Sequence, residues 1–195
     1  MSLYLHGHAI DLKSLEQSHY AEKMLAWVND KEVTQYLFRG LFPATPKALK
    51  DEYESYESSK HDVVLAIYNQ SEEYIGVVGL HDINWVTRSA EFRILIGEKK
   101  FWGKGLGGEA TQLMIAYGFE FLNLNKIWLG VNASNKRAKE SYLKTGFVQE
   151  GTLRQESYRS GVYDDVDRMS LLRNEYKVVS KKWQSSETIK RLLQR

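Results

Sequence analysis

The stretch Lys99-Lys100-Phe101-Trp102-Gly103-Lys104-Gly105-Leu106-Gly107-Gly108-Glu109-Ala110 places four glycines within six residues. Glycine lets a backbone bend through positive φ and lets a ligand approach N–H groups that no Cβ shields. If a helix begins here, its N-terminus adds unpaired donors and a partial positive charge, and phosphate or diphosphate is the expected guest. Lys99, Lys100 and Lys104 are expected to put cationic side chains where that anion sits. At Gly105 and Gly107 a Cβ is expected both to obstruct the anion and to strain a positive-φ turn.

The flanking residues predict a strand-to-helix turn. Ala90 to Ile96 alternates as a strand does, whereas Leu106, Ala110, Leu113, Met114, Tyr117 and Phe121 recur at helical spacing. From the beginning of the chain, Leu3 to Leu12 reads as a first strand. A helix follows, capped by Ser14 or Ser18 and running to Asn29-Asp30, with Tyr20, Met24, Leu25 and Val28 on one side. Val33 to Phe42 is aromatic and lacks a period, which fits either buried packing or a loop beside the substrate. Thr45-Pro46 starts a second helix, ending near Lys60, with Leu49, Tyr53 and Tyr56 on one face.

Val63 to Tyr68 and Tyr74 to Leu80 then read as paired antiparallel strands, and the strand before the glycines extends the meander. Lys126 to Asn132, coming after a crossover helix, should lie parallel to that strand. Asn135 caps a short helix with Ala138 and Tyr142 on its face and Gly146 at its left-handed end. Residues 147–158 and 162–172 close the chain as a hairpin around Arg159-Ser160-Gly161. The result is a mixed α/β fold whose sheet is mainly antiparallel.

Composition narrows the function classes. The 195 residues are 43% hydrophobic with net charge +2, enough for a sizeable core in one domain and giving no reason to expect nucleic acid or a membrane as partner. The chain has no cysteine, so a disulfide, a thiolate metal site and a cysteine acyl-enzyme are excluded. A reducing, cytoplasmic setting is the natural expectation. No apolar run reaches the roughly 20 residues of a membrane span, and Met1 to Leu12 lacks a signal-peptide layout. Five histidines without ligand spacing predict no metal site.

Gly103, Gly105 and Gly108 satisfy G-x-G-x-x-G, the dinucleotide fingerprint, which points to an oxidoreductase as one alternative. Its context is missing: six residues from Gly97 to Trp102 separate strand from glycine, and the next strand ends at Asn132 with no acid to hold a ribose. Nor is it a P-loop, because Gly105 follows Lys104 where serine or threonine must hold magnesium.

Trp102-Gly103-Lys104-Gly105-Leu106-Gly107 resembles the acyl-CoA diphosphate loop of the GNAT N-acetyltransferases, whose pattern is Gln/Arg-x-x-Gly-x-Gly/Ala. Asn132-Ala133-Ser134-Asn135, then Ala138, then Tyr142-Leu143-Lys144-Thr145-Gly146-Phe147, resembles that family's second CoA motif. Trp102 stands where Gln or Arg is usual. The Trp-Gly-Lys-Gly run is similar to the branch containing ribosomal-protein N-terminal acetyltransferases, together with polyamine and amino-sugar acetyltransferases. The resemblance covers about residues 8–176, so a 1–176 acetyltransferase domain is expected. Residues 177–195 follow it as a basic helical extension with Trp183, Ile189 and Leu192 as its apolar side.

The resemblance implies a GNAT-like sheet flanked by helices and acetyl transfer from acetyl-CoA to a primary amine, by direct attack and without a metal. The amine is a protein N-terminus, an amino sugar or a polyamine, and a homodimer is admitted. A non-catalytic CoA-binding module is the other alternative. Ile96, Trp102, Gly103, Lys104, Gly105, Leu106, Gly107, Gly108, Asn132 and Asn135 are implied to hold the cofactor. Tyr142 is implied to donate a proton to the departing thiolate, whose thiol has acidity comparable to the phenol's. Packing is the competing role for Tyr142, and helix capping is the competing or additional role for Asn135. Glu91 is implied as the base that takes the amine proton, directly or through water, against a simple ion pair with Arg93 or Arg88. His81 is the second candidate, against a structural histidine.

Overall fold

The computed structural model describes residues 3–183. Its strands are β1 (Leu3–His6), β2 (Ile10–Ser14), β3 (Val63–Asn69), β4 (Tyr74–Asn84), β5 (Ser89–Ile96), β6 (Lys126–Asn132), β7 (Val148–Arg159) and β8 (Val162–Leu172). They form one sheet in the order β1-β2-β3-β4-β5-β6-β8-β7, antiparallel at every step except β5–β6.

Alternation along the strands gives the sheet two buried faces. In β3, Leu65 and Ile67 enter one apolar cluster while Ala66 and Tyr68 enter another. Helices α1 (Gln17–Val28) and α2 (Pro46–Ser58) cover the second face through Tyr20, Met24, Trp27 and Leu49. Helix α3 (Leu106–Glu120) covers the first. Nine of its residues are buried, among them Leu113, Met114 and Phe119, so it is a core helix apolar nearly all round. Full burial of one such side chain contributes about 1.5–3 kcal/mol. Helix α4 (Lys136–Thr145) lies at the surface and packs Ala138 and Tyr142 inward.

Local chemistry explains the boundaries. Thr45 accepts a hydrogen bond from the Ala48 N–H (3.2 Å), with Pro46 in the first turn of α2. Asn135 Oδ1 accepts from the Ala138 N–H (3.2 Å), and Gly146 closes α4 at φ +105°. The serine caps expected for α1 are not formed: Ser14 ends β2, Ser18 lies inside the helix, and Glu16 is the N-cap without a side-chain bond. The expected single first strand is instead the β1–β2 hairpin, closed where the Gly7 N–H donates to the Ile10 carbonyl (2.8 Å). The second helix ends at Ser58.

At its C-terminal side α5 (Arg173–Val179) crosses position 176, and a 3₁₀ turn leads to Trp183. Trp183 is buried in the core beside Tyr176, ring centroids 5.6 Å apart, and Tyr176 stacks on Phe119 at 4.8 Å. Ile189 and Leu192 lie outside the described residues.

The parallel step creates the functional geometry. β5 and β6 pair at Ser89–Lys126, Ala90–Ile127 and Glu91–Trp128. β5 then continues to Ile96 along β4, and β6 continues to Asn132 along β8. The sheet therefore splits into two halves joined at Glu91–Trp128, with a wedge between them.

Candidate active site

A cleft of about 530 Å³ occupies that wedge, a volume typical of small-molecule sites. It is lined by Ile94 and Ile96 and also by Leu95, which belong to opposite faces of β5. Gly130, Val131 and Asn132 of β6 form the other edge. The cleft thus opens towards both faces of the sheet, α3 and α4 on one side and the segment after α1 on the other.

The glycine loop forms its floor. Gly103 and Gly105 have φ +75° and +82°, and a Cβ built on either would meet nothing within 4 Å. Gly105 is the N-cap of α3, so the N–H groups of Leu106, Gly107 and Gly108 precede the first helical acceptor pairing, Glu109 N–H to Gly105 carbonyl at 3.1 Å. Gly103, Gly105, Leu106, Gly107 and Gly108 all line the cleft. Three N–H groups at the positive end of a 15-residue helix, beside open space, suit a diphosphate. Gly107 and Gly108 are helical, so of the two positions at which positive-φ strain was expected, Gly105 has it and Gly107 does not.

Trp102 locks the loop to the strand, its Nε1 donating to the Ile96 carbonyl (2.7 Å). Gly97 is needed for contact: a Cβ there would come within 2.0 Å of the Trp27 ring. Glu98 adds a second fastening to α1, accepting from Lys23 Nζ (2.8 Å) and Trp27 Nε1 (3.3 Å).

The cations differ from expectation. Lys99 is held between Asp30 (3.0 Å) and Glu32 (2.8 Å), Lys100 pairs with Glu73 (2.6 Å), and Lys104 lies over the Phe101 ring at 5.2 Å. Arg137 and Lys144 line the cleft in their place, and seven residues apart on α4 they share one side of the helix. The Arg137 guanidinium sits 4.9 Å over the Trp102 ring. Its signal in the sequence was the basic pair Lys136-Arg137 directly after the cap Asn135.

The two asparagines end up with opposite polarity. Asn132 Nδ2 donates to Asp164 Oδ2 (3.1 Å), which also accepts from Ser134 Oγ (2.5 Å). A carboxylate only accepts, so the network turns the Asn132 amide to leave Oδ1 as acceptor. Asn135 uses Oδ1 in its cap and keeps Nδ2 as donor. An acceptor and a donor side by side in the cleft wall match the N–H and C=O of an amide such as a pantetheine arm carries.

Tyr142 lines the same cleft. Its ring packs edge-on to Phe92 (6.2 Å) and Phe147 (5.8 Å), so the packing role is filled. Burial pushes its phenol up to about 12, keeping it protonated at neutral pH. Asp167 supports the helix that carries it. This buried carboxylate accepts from Lys139 Nζ (2.5 Å), Thr152 Oγ1 (2.6 Å) and Gln149 Nε2 (2.8 Å), and Lys139 lies on α4.

Glu91 and His81 are not brought into the cleft. They face each other across β4–β5, at the foot of the wedge and on the face opposite Phe92. Glu91 binds Arg93 Nη2 (2.5 Å), and His81 is buried with its Nδ1 3.1 Å from Asp62. Burial, then the Arg93 charge, lowers the His81 pKa despite Asp62. In Val33 to Phe42, Val33 and Thr34 are buried, Gln35, Tyr36 and Leu37 line the cleft, and Phe38 and Phe42 are exposed. Among the described residues no group of three His, Cys, Asp or Glu could hold a metal ion, and no helix is long and apolar enough to cross a membrane.

Comparison with known proteins bears on this geometry. Residues 10–148 match the family model described as an acetyltransferase (GNAT) domain. The spermidine N(1)-acetyltransferase of Escherichia coli (strain K12) is 33% identical over 172 residues, covering 87% of this chain and 89% of that protein. The crystal structure of the Vibrio cholerae spermidine N-acetyltransferase with CoA and spermine superposes with TM-score 0.81 at 30% identity, covering 87% and 98% of the two chains. A dodecameric structure of the Vibrio cholerae protein gives TM-score 0.74 at 30% identity, covering 86% and 96%.

Proposed function

The chain belongs to the GNAT acetyltransferase family, and on that premise we propose that the amine it acetylates is a polyamine of the spermidine class. Acetyl transfer from acetyl-CoA to an amine is the family's reaction, and it leaves no place for the dinucleotide alternative or for a module that only binds CoA. The polyamine reading is carried by one observation, the likeness to spermidine acetyltransferases over almost the whole described chain. The cleft is consistent with it: Glu32, which shares Lys99, is a carboxylate on its lining three residues before Gln35, on the side where a polycation would pass.

The residues divide the work as follows. The N–H groups of Leu106, Gly107 and Gly108, with Arg137 and Lys144, hold the diphosphate half of the cofactor. Asn132 and Asn135 hold the amide of its arm, so that the thioester lies at the wedge. The amine arrives from the Gln35–Leu37 side, deprotonated, and its nitrogen bonds to the thioester carbonyl. Tyr142 donates its phenolic proton to the leaving sulfur. The proton lost by the amine reaches Glu91 through water, because the carboxylate stands at the foot of the wedge and not in the cleft itself. The cytoplasm, where polyamines and acetyl-CoA meet, is the proposed location, and a homo-oligomer the proposed assembly.

Initial rates with thiol detection test the reading on spermidine, spermine, a nucleotide-linked amino sugar and a short peptide with a free N-terminus. Spermidine or spermine should exceed the others in kcat/KM by about 10²-fold or more. A preference of that size for the peptide or the amino sugar overturns the polyamine assignment and leaves the family's reaction standing.

A further inference from the structure

We infer that Arg159, at the end of the β7–β8 hairpin, is a positioning residue that sets the wall of the cleft against which the amine is held. Its guanidinium donates to three acceptors on the segment after α1: Nη1 to the Leu37 carbonyl (2.7 Å) and the Arg39 carbonyl (3.1 Å), and Nη2 to Thr34 Oγ1 (3.0 Å). These acceptors bracket Gln35, Tyr36 and Leu37, the residues with which the segment lines the cleft.

The segment needs such a latch in its middle, since the ion pairs that hold it, Lys99 to Glu32 and Arg39 to Glu52 of α2, lie towards its two ends. It carries no regular helix or strand and is held internally by single turns, Thr34 N–H to Asp30 carbonyl at 3.0 Å and Leu37 N–H to Thr34 carbonyl at 2.9 Å. Gly40, at φ +79°, lets it fold back on α1, where a Cβ would lie 2.8 Å from the Val28 carbonyl. On the other partner, Ser160 and Gly161 turn with φ +50° and +86°, the tight two-residue type that fixes the flanking strand positions. Arg159 therefore projects from a rigid point.

The topology says what the latch joins. The segment follows α1 and belongs to the β1–β5 half of the split sheet, while the hairpin belongs to the half containing β6, which leads directly into α4 and Tyr142. Arg159 thus bridges the wedge on the amine's side and fixes the distance from the amine wall to Tyr142. The glycine loop and the Asn135 helix, on the cofactor's side, make no bond to it. Arginine suits the task because its planar fork reaches several acceptors in fixed directions and never loses its charge, whereas lysine offers one point.

The inference rests on the reading that the amine enters beside Gln35–Leu37. The test is steady-state kinetics of the full chain with Arg159→Ala and Arg159→Lys, on the best amine of the panel, together with CoA affinity by calorimetry. We expect the amine KM of Arg159→Ala to rise about tenfold or more, the loss of one charge-assisted hydrogen bond being enough for that. We expect Arg159→Lys to recover part of the loss, millimolar guanidinium to restore part of it in Arg159→Ala, and the CoA Kd to stay within about twofold of wild type. An unchanged amine KM overturns the inference, as does a CoA Kd that moves as far as the amine KM. If Arg159→Ala does not fold, Thr34→Val, which removes one acceptor, should still raise the amine KM selectively, and its failure to do so is equally decisive. A wild type that turns over no polyamine fails the functional reading separately, since the latch is measured on whichever amine reacts.

Discussion

Replacing Gly105 with alanine should separate the turn's conformational demand from its ligand-binding one. At φ +82° an L-residue is strained by about 1–2 kcal/mol, and the new Cβ meets nothing within 4 Å, so no clash adds to that figure. For a chain of this length each kcal/mol lowers Tm by about 2–4 °C, giving a fall of about 2–8 °C without ligand. The same Cβ stands in the open space beside the N–H groups of Leu106 to Gly108. Losing one charge-assisted hydrogen bond to a diphosphate costs about 1.5–3 kcal/mol, so the acetyl-CoA Kd should weaken by about 10- to 10²-fold. Gly161→Ala is the control. Gly161 has φ +86° and equally open surroundings, but lies in the hairpin turn away from the glycine loop, so it should cost similar stability and leave the acetyl-CoA Kd unchanged. Thermal melts and calorimetry on both variants read the two effects independently. If Gly105→Ala loses the same Tm as Gly161→Ala and binds acetyl-CoA as wild type does, the glycine serves the turn alone and the cradle argument is wrong.

Two further outcomes follow from buried groups. Asp167→Ala removes the carboxylate that ties Lys139 to the sheet and should cost about 3 kcal/mol in urea unfolding. Lys139, and then Thr152, hold the Asp167 carboxyl below its usual value, so the stability it gives is present above an ordinary aspartate pKa near 4 and is lost as pH falls through the depressed folded value. Tyr142 works in the opposite sense: burial raises its pKa to about 12, so the phenol stays protonated past the ordinary value of about 10. The wild-type rate should climb as the amine deprotonates and show no fall centred at pH 10, and a fall centred there contradicts a buried acid.

The sequence was most readable where a single residue type meets a local need. Thr45-Pro46, Asn135 and Gly146 announced their helix ends because capping and left-handed termination depend on neighbours within four residues. The glycine loop was legible for the same reason. Alternation in Ala90 to Ile96 identified a strand, and it also carried a fact not used: Glu91 and Phe92 must point to opposite faces, which keeps Glu91 apart from the cleft side of Tyr142. The β1–β2 hairpin was missed although the apolar positions shift from odd (Leu3, Leu5) to even (Ile10, Leu12) across Gly7-His8, because no Asn-Gly or Asp-Gly pair marks the turn. The lysines misled for a different reason. Lys99 finds its carboxylates at Asp30 and Glu32, nearly 70 positions away, and no local pattern reports such a pair. Arg159 was likewise invisible as a latch, since its acceptors are mostly backbone carbonyls more than 100 positions distant.

The central claim is that the wedge between β5 and β6 is a centre of acetyl transfer in which the Tyr142 phenol protonates the departing sulfur. Tyr142→Phe keeps the ring against Phe92 and Phe147 and deletes the hydroxyl alone, so fold and acetyl-CoA affinity should be retained. The decisive measurement is kcat of this variant with saturating acetyl-CoA and the best amine. The account predicts a loss of about 10²- to 10⁴-fold with the acetyl-CoA Kd unchanged. A kcat equal to that of wild type would contradict it, leaving Tyr142 as a packing residue and the thiolate to depart with another proton.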